Sequence, residues 1–190
     1  MTVLAAGLAI FLLAHLLPVV GGPRKAIIAR IGLLPYRGLF SLAALIGLVL
    51  IVWGYGIARE SGVTVIYDPP VWMRHLVLLL MLPVFVLLTS AYLHNPISAA
   101  VRHPMVLAVK IWAFAHLLAN GDVASLMLFG GFLVWGVLDR ISLARRERAG
   151  EVRVRGGSIA NLVASLVVGL AVYGLFIWKG HMWLIGVPVL

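Results

Sequence analysis

The chain has 190 residues, 63% hydrophobic and only 11% charged, which is more apolar surface than a soluble domain of this size can cover. A mean hydropathy of +1.12 makes lipid the bulk solvent, and a backbone in lipid must pair its own polar groups, leaving helices or a closed barrel. The net charge of +9 reads, in so apolar a chain, as a basic membrane face and not as a nucleic-acid surface, and the lack of cysteine excludes disulfides, thiolate iron ligation and a cysteine nucleophile.

Long unbroken apolar runs favour helices, since a barrel would alternate in segments of about ten residues. The expected architecture is all-α: a polytopic membrane helical bundle of about six transmembrane helices, forming one domain over residues 1–190. Span one is expected from Thr2 to Val20. It has neither a basic leader nor a small-residue cleavage site, so it reads as retained. Gly21 to Arg37 is a basic connector whose Ile27, Ile28, Ile31 and Leu34 suggest a short helix lying in the interface. Span two is expected from Gly38 to Ala58, followed by a polar loop, Arg59 to Asp68, that Pro69 and Pro70 close. Span three runs from Val71 to His94 with Pro83 as a kink, and Asn95 to Arg102 is a short link. Span four covers Pro104 to Asn120, with Pro104 tolerated in a first turn and Gly121 suited to a helix end. Span five covers Val123 to Leu138, where Gly130 and Gly131 are expected to allow close helix approach. Asp139 to Gly157 is the most polar segment. Span six covers Ser158 to Trp178, and an apolar tail reaches Leu190.

The connectors after spans one, three and five carry four, one and six Lys or Arg. The opposite side carries Arg59, Arg74 and Lys179. The positive-inside rule then puts the basic connectors in the cytoplasm and both termini outside. The basic connectors are expected to meet anionic lipid.

Span four is the most unusual stretch. The run RHPMVLAVKIWAFAHLLANGD places Arg102, His103, Lys110, His116, Asn120 and Asp122 on or beside one apolar helix. Charged and imidazole groups in hydrocarbon are costly, so each needs a partner or a task. This run, with FLLAHLLP around His15, resembles the NnrU family of bacterial membrane proteins over nearly the whole chain. The resemblance implies a part in denitrification, the respiration of nitrite and nitric oxide. That family shares a domain with 15-cis-zeta-carotene isomerase, a membrane enzyme that uses haem b. Haem b and redox or isomerase-like chemistry are therefore implied here. The isomerase's axial histidines match His15 in LAHLLP and His116 in FAHLLA. The isomerase has a cysteine where this chain has Ala113, so an exchange of iron ligands between Cys and His is not available. The RHP triplet also resembles the S-adenosylmethionine-binding segment of isoprenylcysteine carboxyl methyltransferases and phospholipid methyltransferases.

Depth sorts the histidines. His116 lies thirteen residues beyond His103, about 20 Å along a helix, so those two cannot ligate one iron. His15 is expected about 8 Å from the basic side and His116 about 18 Å, an offset that a tilted haem bridges. His15 and His103 are also close enough in depth for a small metal site. Trp112 and Asn120 flank His116 one turn to either side, as a wall and a hydrogen-bonding amide for the cofactor. The alternative is structural: an imidazole bonded to a neighbouring helix, and a packed indole. His103 is either a helix-start residue meeting headgroups or, beside Arg102, a contact to substrate or cofactor. Lys110 is expected in an ion pair, or against a haem propionate or an anionic substrate. His103 and Lys110 are the candidate catalytic side chains. His94, His75 and His181 read as interface residues.

Three functions stay open on these residues. One is an NnrU-type protein binding haem b between spans one and four. Another is a membrane methyltransferase using S-adenosylmethionine, with Arg102, His103 and Glu147 at the basic boundary. The third is a non-enzymatic accessory subunit for a nitrite or nitric-oxide reductase.

Overall fold

A computed structural model describes residues 1–152 and 156–189. Arg153 and Arg155 of the basic connector, and Leu190 of the tail, lie outside the described residues. The chain is a helical membrane bundle. Its elements are α1 (Thr2–Val20), α2 (Gly22–Ile31), α3 (Leu33–Glu60), α4 (Met73–Tyr92), α5 (Pro96–Val101), α6 (Pro104–Ala119), α7 (Val123–Arg148), α8 (Ile159–Leu175) and α9 (His181–Ile185). A π-helical turn, Phe176–Gly180, joins the last two into one rod. Five of these rods are long and apolar enough to cross a membrane: α1, α3, α4, α7 and Ile159–Ile185. The sixth expected span, α6, has 16 residues, about 24 Å of rise against a hydrocarbon core of about 30 Å.

The helices lie side by side in the order α3, α1, α7, α6, α4, α8. Helix α7 packs against both α1 and α6, which do not pack on each other. Leu4, Leu8, Ile51, Ala113, Ala124, Leu128 and Phe129 form the core around α7. Leu45, Val49 and Trp53 of α3, and Val163 and Val167 of α8, point outward, as residues facing lipid do.

Two helix ends differ from expectation. Helix α3 begins at Leu33 and not at Gly38, and α7 runs to Arg148 and not to Leu138. In both places the apolar stretch stops before the helix does. Arg, Glu and Ala are good helix formers, so SLARRER continues the rod once it leaves lipid.

Close helix approach falls only partly where expected: a Cβ on Gly131 would lie 3.2 Å from Leu12 Cδ1 of α1. A Cβ on Gly130 would meet open space, whereas one on Gly54 would lie 2.4 Å from the Leu4 backbone nitrogen. The tight seam is therefore α1 against α3. The expected link Asn95 to Arg102 holds α5, capped by Asn95, whose Oδ1 accepts the Ser98 amide at 3.0 Å. At the other end of the bundle a single bridge pairs Val65 with Asp122, and the Ile66 amide donates to Gly121 O at 2.8 Å. This ties the loop before α4 to the loop after α6.

Candidate functional site

His15 projects from α1 and His116 from α6. Both rings are partly buried and both make the same local bond. His15 Nδ1 donates to the Phe11 carbonyl and His116 Nδ1 to the Trp112 carbonyl, each one turn back and each at 2.8 Å. A carbonyl only accepts, so Nδ1 carries the hydrogen in both rings. In the neutral ring Nε2 then carries the lone pair, and neither Nε2 finds a hydrogen-bond partner among the described residues.

A row of aromatic rings connects the two. His15 stacks on Phe11 at 4.1 Å, Phe11 lies 5.4 Å from Phe132, Phe132 lies 5.4 Å from Trp112, and Trp112 lies 5.3 Å from His116. Phe129 covers the His116 ring at 4.6 Å, and Trp135 meets the His15 ring edge-on at 5.6 Å. The α7 positions 129, 132 and 135 recur at helical spacing and so line one side of the row. Sequence reasoning singled out Trp112 but missed Phe11, Phe129, Phe132 and Trp135. Phe11 was legible, one turn before His15 on α1 as Trp112 is before His116, but Phe129, Phe132 and Trp135 come there only because α7 inserts between α1 and α6.

Asn120 closes α6. Its Nδ2 donates to His116 O at 2.9 Å, and its own carbonyl accepts the Tyr67 hydroxyl at 3.1 Å. Lys110 lies along the α6–α7 seam, with its stem against Gly136, where an added Cβ would stand 2.8 Å from Lys110 Cγ. Among the described residues no carboxylate lies within 4.0 Å of its ammonium, and neither Asp122 nor Asp139 is its partner. Asp122 instead caps α7, accepting the Ser125 amide at 2.9 Å.

A second polar centre forms at the basic end. Arg102, His103 and Glu147 meet there, although more than forty residues separate the acid from the RHP triplet. Arg102 Nη1 donates to Glu147 Oε2 at 2.7 Å, and His103 Nε2 bonds to Glu147 Oε1. Arg140 Nη1 stands 3.7 Å from the same carboxylate. The extra turns of α7 are what deliver Glu147 to this point. Arg102 has φ +65, a left-handed conformation that costs a non-glycine residue roughly 1–3 kcal/mol and persists only where surroundings impose it. The Glu147 contacts are the evident imposition. Among the described residues no group of three or more His, Asp or Glu side chains is arranged to hold a metal ion, so His15 and His103 do not form a small metal site with a further ligand.

A family model described as "NnrU protein" matches residues 3–189. No curated protein and no solved structure matches the chain.

Proposed function

The chain belongs to the NnrU family, and from that premise we propose that it binds haem b through the intramembrane imidazoles His15 and His116 and acts in nitrite and nitric-oxide metabolism at a bacterial inner membrane. The state of the two rings supports this reading. Each has Nδ1 held by a main-chain carbonyl, which in the neutral ring leaves Nε2 as the donor that iron takes from imidazole. The flanking Phe and Trp rings keep water away and suit a flat macrocycle.

The donor set thus fits the group, one imidazole at a time. Because α1 and α6 do not touch, and Phe11, Phe132 and Trp112 stand between the rings, reaching one iron from both sides requires those rings to swing aside. His116 is the better single ligand. Phe129 holds its plane and the Trp112 carbonyl holds its Nδ1 hydrogen. Haem b, if bound there, would supply one-electron redox chemistry.

The test is an absorption spectrum of the detergent-purified protein after haem-replete expression, oxidised, reduced and then with nitric oxide. A Soret band is expected, and His116→Ala should lower haem affinity about tenfold or more. A spectrum with no Soret band rejects the cofactor, and full haem content in His116→Ala rejects that ligand. Turnover by the isolated protein would favour redox or isomerase-like chemistry. Co-purification with a nitrite or nitric-oxide reductase, without turnover, would favour an accessory role.

The meeting of Arg102, His103 and Glu147 favours one other reading, an S-adenosylmethionine-dependent methyltransferase. Calorimetry on the same preparation decides it: no heat on adding S-adenosylmethionine removes this reading.

A further inference from the structure

The basic end of the α6–α7 seam has more positive charge than its own carboxylates can answer. Glu147 is the only acid in contact with Arg102 and Arg140 among the described residues, and both its oxygens are already engaged, by Arg102 at 2.7 Å and by His103. Arg140 Nη1 is shielded from solvent yet finds no hydrogen-bond acceptor, since the nearest Glu147 oxygen is 3.7 Å away. Asp139, the other acid on this helix, faces Arg146 at 3.9 Å. Lys110 lies against Gly136, one helical turn inward from Arg140, with no carboxylate within 4.0 Å among the described residues. Lys110, Arg102 and Arg140 against Glu147 leave two positive charges over. Arg102 is half-exposed to solvent, so the call for a counter-anion falls on Lys110 and on the screened Nη1 of Arg140.

The same helix offers a seat for an apolar chain. Leu133, Val134, Val137 and Leu138 line a shallow groove without polar lining. Leu133 and Val137, seven and three residues before Arg140, share its face, so the groove's near edge runs up to Arg140, while Val134 and Leu138 form its far edge. We propose that this seam holds one anionic phospholipid. Its phosphate meets Arg140 and Lys110 beside Arg102, and an acyl chain lies along Leu133 and Val137, on the face that Arg140 shares. The site differs from general attraction to basic loops, because a donor already cut off from water waits inside it. It stands whether or not iron is bound.

The test is native mass spectrometry of the full chain in mild detergent, offered phosphatidylglycerol and phosphatidylcholine with the same acyl chains. One phosphatidylglycerol per chain should be retained with a preference of about tenfold, the size expected for two cationic contacts. Arg140→Gln and Lys110→Met should each reduce retention toward the phosphatidylcholine level. Arg140→Lys should keep it, which separates lost charge from lost fold. Lys25→Gln should leave it unchanged, because Lys25 pairs with Glu151 at 3.7 Å outside the seam. Equal retention of both lipids overturns the proposal, as does an adduct that survives Arg140→Gln combined with Lys110→Met. Inorganic phosphate that binds the lipid-free protein and fully displaces phosphatidylglycerol marks a free-anion site and overturns the lipid assignment.

Discussion

Asn95 illustrates what one amide does in an apolar bundle. Its Oδ1 caps α5, and its Nδ2 donates to Ser90 Oγ at 2.9 Å and Ser165 Oγ at 2.8 Å, tying α4, α5 and α8 at one fully buried point. Asn95→Ala leaves two hydroxyls without that donor and α5 without its cap. A loss of about 1–3 kcal/mol is expected, while Ser165→Ala should cost about 0.6 kcal/mol. Thermal unfolding in detergent measures both, and an unchanged midpoint for Asn95→Ala would show the network to be incidental. Asn95 to Arg102 reads from the sequence as a link, although Asn95-Pro96 with Ser98 three residues on is a helix-start pattern. The tie to Ser165 was not legible, because no local pattern links residues seventy apart. The same division holds at the imidazoles. His15 and His116 stood out because imidazole in hydrocarbon is costly. Phe132 looked like any lipid-facing residue until α7 placed it between the two, whereas Phe11 stands one turn from His15 on the same helix.

Among the elements, the α1–α3 pair shows how small residues replace a hydrophobic drive that lipid does not supply. On α3, a Cβ at Gly47 would lie 2.8 Å from the Phe11 nitrogen and one at Gly54 2.4 Å from the Leu4 nitrogen. Backbone cannot give way as a flexible side chain does. Gly54→Val should therefore cost about 1–3 kcal/mol or more through overpacking, while Gly56→Ala, which meets open space, should be close to neutral. Size-exclusion profiles and unfolding midpoints compare the two, and equal behaviour would contradict the seam. The apolar centres of all six spans were readable from composition. The seam was not, because glycine spacing alone does not say which glycines face a partner. The length of α7 was hidden for another reason: hydropathy ends where lipid ends, and helix propensity does not.

For the whole molecule, the question is which end faces which compartment. The two ends are chemically distinct. At one, the Lys25–Glu151 and Arg102–Glu147 pairs gather α2, the start of α6 and the end of α7. At the other, the Val65–Asp122 bridge joins the loops that follow α3 and α6. Six rods run between these two ends of the bundle, α6 the shortest of them, so a single measurement orients every helix. The absence of cysteine makes that measurement clean, since an introduced thiol is the only one present. Glu60, at the end of α3, and Arg145, near the end of α7, lie at opposite ends and are both exposed. If the basic end is cytoplasmic, a membrane-impermeant maleimide should label Glu60→Cys in intact spheroplasts and Arg145→Cys only after lysis. The reverse pattern would invert the topology and put the Arg102–His103–Glu147 centre outside. The proposed lipid phosphate would then have to come from the outer leaflet, where fewer anionic headgroups would be on offer to Arg140.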